Sequence, residues 1–150
     1  MATASTPENA VGWKLKSVNA VSSLAVGGIF PRIKPQDIPT KYPYIVIDKP
    51  PGEQRPRTLS GQASLVKTQL TINCYADDKT GGYVKAQNIA GEVLAALDPT
   101  GKTGSVTWNN TSIDHCEVSQ VYDNSKVPNT GDEIGYPCAA VDVTMFWLSQ

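Results

Sequence analysis

Between Leu65 and Leu97 the spacing of apolar residues switches once, from every second position to every third or fourth. Leu70, Ile72 and Cys74 fall on one side of an extended segment, and Thr71, Asn73 and Tyr75 on the other, the pattern of a strand covered on one face. After Asp77 and Asp78 the stripe Tyr83, Ala86, Ile89, Ala90, Val93, Leu94 and Leu97 follows a helical period, with Lys85, Asn88 and Glu92 turned away. Asp77 and Asp78 are expected to start that helix. Their carboxylates can accept from its free N–H groups, and their charge suits the positive end of its dipole. Asp98-Pro99 and Gly101 are expected to end it. A strand and a helix that are each apolar on one side must share a core with further elements.

The rest of the chain supplies them. "PYIVIDKP" (43–50) is a β-branched run bracketed by prolines, hence a strand. "GIFPRI" (28–33) reads as an edge strand, because Pro31 has no N–H to give a ladder. From Trp13 to Val26 the apolar spacing suits a short helix, ended by a turn at Gly27-Gly28. "SVTWNN" and "TSIDHCEVSQVY" read as two strand pieces or one bulged strand, and "CAAVDVTMFWLS" alternates Val141, Val143, Met145 and Trp147 against Asp142 and Thr144. The expected fold is α+β, an antiparallel sheet of about four to five strands with two helices packed on one face. A length of 150 residues suits one core: a single domain over 13–150 behind a flexible N-terminal arm, 1–12.

Charge argues against a protein that binds nucleic acid by neutralising phosphates, since the formal total is -1. The distribution is uneven: residues 1–102 hold 12 Lys and Arg against 8 acids, and 103–150 hold 1 against 6, or +4 and -5. Opposite poles in one chain suit copies that meet head to tail. Cys74, Cys116 and Cys138 are widely spaced and read as buried thiols, neither a disulfide framework nor a zinc knuckle. No apolar run approaches the ~18 residues of a membrane span, and "MATASTPENA" lacks the basic and apolar regions of a secretion signal. The polar segment 51–64, "PGEQRPRTLSGQAS", is too long for a tight turn; Arg55, Arg57 and Leu59 within it are candidates for contact with a partner.

Catalytic candidates are few. Asp114-His115-Cys116 puts an acid, a base and a nucleophile together, yet neighbours on a strand point to opposite faces, so the His and Cys side chains cannot pair. Gly101-Lys102-Thr103 has the ending of a phosphate-binding loop, but Ala96 stands where its first glycine belongs. A magnesium site at Asp77 and Asp78 needs a further carboxylate, which the strand bearing Asp142 can supply only if the fold brings it close. Trp13, Trp108 and Trp147 are expected in the core, since no basic residues interleave with them as in a base-stacking platform. No cofactor is expected. The two classes left are a structural or binding protein, and a small cytosolic ligand-binding or hydrolytic protein using Asp77, Asp78 and Asp142.

The order "GIFPRIKPQDIPTKYPYIVID", "LSGQASLVKTQLTINCYADD" and "GYVKAQNIAGEVLAALD" resembles the tail terminator, or tail completion, family of long-tailed non-contractile bacteriophages. The matching pieces are Gly27, Gly28, Ile29, Pro31, Pro43, Tyr44, Val46, Leu59, Gly61, Tyr75, Ala76 and the stripe Ile89 to Leu97, covering roughly residues 15–98. The segment 104–136 and the N-terminal arm depart from the family pattern. The resemblance implies a structural virion protein with no catalytic residues. It implies a hexameric ring at the head-proximal end of the tail tube, assembled in the host cytoplasm, that stops tube growth. Its implied partners are further copies of itself, the major tail tube protein, the head connector, and genomic DNA passing through without sequence-specific binding. Other head-tail joining or tail tube subunits share this grammar and stay open as alternatives. In such a ring the acidic final third is expected to line the channel, where like charge keeps the duplex from sticking.

Overall fold

The two longest apolar alternations in the chain pair with each other at the centre of a sheet. In this computed structural model, which describes residues 6–31, 41–49, 65–77, 82–97, 106–109, 111–125 and 137–148, β3 (Leu65–Tyr75) and β6 (Cys138–Leu148) run antiparallel from Leu65↔Leu148 to Tyr75↔Cys138. That register puts Cys74, Ile72, Leu70, Thr68 and Val66 beside Ala139, Val141, Val143, Met145 and Trp147, all of them buried. A one-residue slip would carry both apolar rows to the other face, so burial itself selects the register.

Four shorter or more irregular strands complete a six-stranded sheet in the order β1-β2-β3-β6-β5-β4. On one side lie β2 (Tyr44–Asp48), antiparallel to β3, and the edge strand β1 (Ile29–Pro31), parallel to β2. On the other lie β5 (Thr111–Asp123) and the edge piece β4 (Val106–Trp108), joined through Asn109 at φ +49°. The expected class holds, with six strands and one parallel pair where an antiparallel sheet of four or five was expected. Both proline and brevity keep β1 at the margin. The sequence alternatives for 105–122 resolve as two strands, the second broken by register shifts between Ile113 and His115 and between Val118 and Gln120.

The helices cover the apolar face. In α3 (Gly82–Leu97), Ala86, Ile89, Ala90, Val93 and Leu97 are buried, as the stripe predicted, whereas Leu94 is 37% exposed at its margin. The first helical region differs from expectation. It forms α1 (Pro7–Ser17) and the single turn α2 (Asn19–Ser22), separated at the extended residue Val18. Pro7, Ala10, Val11 and Gly12 are buried, so the second half of the segment 1–12 expected as an arm belongs to the folded domain. Thr6 caps α1 by accepting the Asn9 N–H at 3.3 Å, and Pro7 occupies the first turn, where no N–H is needed. The α1 backbone comes close enough for a Cβ on Gly12 to sit 3.7 Å from the Ile47 side chain, which places α1 on the same face as α3.

Trp147 and Trp108 are buried, and the Trp147 indole donates to the Thr68 hydroxyl at 2.9 Å. Trp13 corrects the expectation of a third core tryptophan. It is 47% exposed, because the helix starts earlier than expected and turns position 13 outward while Val11 and Leu15 point in.

Candidate functional site on the open face of the sheet

The face away from the helices is polar, uncovered by any described element, and organised in two clusters. At the β1–β2 end aromatic rings line up across the strands. Tyr44 stacks on its register partner Tyr75 with centroids 5.0 Å apart, and Tyr42 and Phe30 pack against Tyr44 at 5.2 and 6.4 Å. Such cross-strand pairs add to sheet stability beyond area alone. Burial, and then the neighbouring Cys138, pushes the Tyr75 phenol well above its ordinary value. Next to this row, Asn73 donates to Asp48 at 2.6 Å and accepts from Asn124 at 2.9 Å, so a buried amide has partners on both sides.

The second cluster centres on Asp142, at the middle of β6. Register places Thr71 of β3 and Gln120 of β5 on either side of it. The Thr71 hydroxyl and the Tyr122 phenol donate to Oδ1 at 2.9 and 3.3 Å, and the Gln120 amide donates to Oδ2 at 2.6 Å. The second register shift leaves Ser119 out of the ladder, and its hydroxyl donates to the Asp142 carbonyl at 3.1 Å. A groove of about 400 Å³ opens here, lined by Gln69, Thr71, Ser119, Gln120, Asp142 and Thr144 among others. Burial and the adjacent carboxylate push the Tyr122 phenol upward from its ordinary value, so it stays a donor to Asp142 at neutral pH.

Of the residues singled out from the sequence, those that are described, Gly27, Gly28, Asp77, His115, Cys116 and Asp142, lie in separate places. Gly27 and Gly28 form the turn into β1: the Gly27 N–H donates to Pro43 O at 2.8 Å, and Gly28 O accepts from Ile45 N–H at 3.0 Å. Gly28 has φ +113°. Asp77 stands five positions before the first residue of α3, and its carbonyl accepts the Gly82 N–H at 2.8 Å. Asp78, Arg55, Arg57, Leu59 and the 101–103 segment lie outside the described residues. Asp142 is level with Thr71, four residues before β3 ends at Tyr75, and Asp77 lies two residues beyond that end, so register does not bring the two acids side by side. Among the described residues no group of three or more His, Cys, Asp or Glu is arranged to hold a metal ion.

His115 and Cys116 also separate. His115 pairs with Phe146 on the open face, its Nε2 3.3 Å from Glu117 Oε2, whereas Cys116 packs against the core on the other side. Burial pushes the Cys74 thiol far above its ordinary value, so it is no nucleophile at neutral pH. The cluster that the fold does build, Asp142 with Thr71, Gln120 and Tyr122, joins residues more than 70 positions apart in sequence. Alternation put Asp142 on the polar side of its strand, but nothing in the sequence aligns it with the other three.

No protein-family model matches this sequence, and no curated protein matches it significantly. Among solved structures, a chain of the virion of a native gene transfer agent (GTA) particle superposes with a TM-score of 0.67 over 95% of this chain and 95% of that one, at 12% identity. The two share a fold over nearly their whole lengths.

Proposed function

We propose that this chain is a structural subunit of a phage-like particle. Copies of it close into a ring, hexameric in the family it resembles, that caps the head-proximal end of the tail tube, stops tube growth and joins the tail to the head connector. The observation that carries this reading is the fold correspondence with a virion chain, because it spans 95% of both chains. The order of motifs from Gly27 to Leu97 supports the same reading from an independent direction. So does the open sheet face, a broad polar surface with fixed side chains, which suits recognition more than chemistry. Charge supports contact between copies: an overall +4 in residues 1–102 and -5 in 103–150 favours heterologous contacts, which form a ring where their rotation closes. DNA passes the ring without sequence-specific contact, and the assembled protein resides in the virion.

Electron microscopy of the purified protein, and of tails assembled with and without it, tests this. Closed rings at one end of each tail, and overlong tails when the protein is missing, are the expected result. Rings repeated along the whole tube would make it a tube subunit instead. A monomer at high concentration that leaves tail length unchanged would end the proposal.

A further inference from the structure

We infer that the groove at the centre of the open sheet face is a receptor for an arginine side chain presented by a partner protein, with Asp142 as the counter-charge. The geometry of Asp142 is the starting point. An ionised carboxylate offers about four acceptor directions. Thr71 and Tyr122 occupy two on Oδ1, and Gln120 occupies one on Oδ2, which leaves Oδ2 able to accept another donor. All three donors are neutral. They hold the carboxylate in position without cancelling its charge.

No cation in the described structure does so either. Lys49 pairs with Glu8 at 3.4 Å, and the His115 ring lies 3.3 Å from Glu117, so each of these groups has a carboxylate other than Asp142 beside it. Lys67, on the same face, has its ammonium 6.0 Å from the centroid of the Phe146 ring. A carboxylate held by neutral donors, with no described cation against it, thus stands in a groove of about 400 Å³, room for a whole side chain. The other polar walls are Gln69, Thr71, Ser119, Gln120 and Thr144, whose amide and hydroxyl oxygens are neutral acceptors. That set suits a guanidinium, which presents five N–H donors in a plane, better than the compact ammonium of lysine. A calcium ion is a poorer match, because it takes about six to eight oxygen ligands and Asp142 is the one carboxylate among the lining residues.

The site stands on this geometry; only the source of the arginine, a neighbouring protein of the particle, rests on the function proposed above. The test uses the isolated full chain, labelled with ¹⁵N and titrated with N-acetyl-L-arginine amide, against N-acetyl-L-citrulline amide as the neutral isostere. Saturable shifts of the Gln69 and Gln120 side-chain amides are expected with arginine, at an affinity roughly tenfold above that for citrulline, as for a hydrogen bond to a charged group. Asp142→Asn, which preserves shape, is expected to lose the preference while retaining its melting transition. Gln69→Arg, at an exposed wall position, is expected to fill the groove from within and block the probe. Equal response to the two probes, no saturable response, or an unchanged preference in Asp142→Asn would overturn the inference. Rings that ignore arginine would remove the site and leave the ring; arginine binding without rings would do the reverse.

Discussion

At Gly27 a single methyl group collides with main chain. A Cβ there would lie 1.7 Å from Lys41 O and 2.8 Å from Pro43 O, and neither atom can swing aside as a side chain does. At Gly28 the obstacle is a positive φ of +113°, together with the Phe30 ring at 2.7 Å, which is able to move. Gly91 is the opposite case, exposed in mid-helix with nothing within 4 Å of a Cβ. Alanine scanning by chemical denaturation should therefore give three different answers. Gly27→Ala is expected to cost at least about 2 kcal/mol, since overpacking against backbone cannot relax cheaply. Gly28→Ala should cost about 1 to 2 kcal/mol for the left-handed conformation. Gly91→Ala should stabilise by up to about 1 kcal/mol. Equal effects at all three positions would refute this ranking. The glycine pair was legible in the sequence as a turn; the reason Gly27 is indispensable was not, because it lies in Lys41 and Pro43, far along the chain.

Elements were read well where one periodicity ran unbroken, as in β3, α3 and β6, and poorly where local chemistry outweighed it. The start of α1 is the clearest instance. Thr6-Pro7-Glu8 has an N-cap, a proline suited to the first turn and an acid at the positive end of the dipole, a local signal stronger than the apolar spacing that suggested a start near Trp13. In β5 the two register shifts interrupt the alternation, so faces cannot be counted from sequence alone. Packing of β3 between β2 and β6 creates a pH dependence, through burial of Tyr75 first and the neighbouring Cys138 next. Tyr75 is half-buried and stacked on Tyr44, and its pKa is raised in the fold, so the folded state favours the neutral phenol. Its contribution is intact below the ordinary tyrosine value of 10.0 and is lost as pH rises beyond it toward the folded value. Cys74 adds a loss of the same sign from its ordinary value of 9.0 upward. Urea midpoints measured from pH 7 to 11 should fall on the alkaline side, and less steeply above pH 10 in Tyr75→Phe; identical slopes would show that Tyr75 does not carry the effect.

For the whole molecule, the layered class followed from requiring that two apolar stripes share one core, and that requirement is indifferent to strand count. Pro31 marked β1 as an edge strand, whereas β4 was the piece that order and composition left unsettled, since three residues carry no period. The open face was legible as polar but not as organised, because the aromatic row and the Asp142 cluster are products of register across strands distant in sequence. On the function proposed above, a subunit that acts by shape needs contact surfaces, and the polar segment 51–64 is a candidate by its composition. Arg55 and Arg57 lie there, outside the described residues, and arginine is among the residues that most often dominate interface energy. If this segment contacts the tube, the double variant Arg55→Ala/Arg57→Ala should keep the wild-type melting transition while co-sedimenting with purified tail tubes about tenfold more weakly, as expected for losing roughly 1.4 kcal/mol of binding. Raising salt should weaken the wild type more than the variant, since the charges removed are the ones that screening acts on. Undiminished co-sedimentation of a folded variant would assign tube attachment to another surface of the subunit.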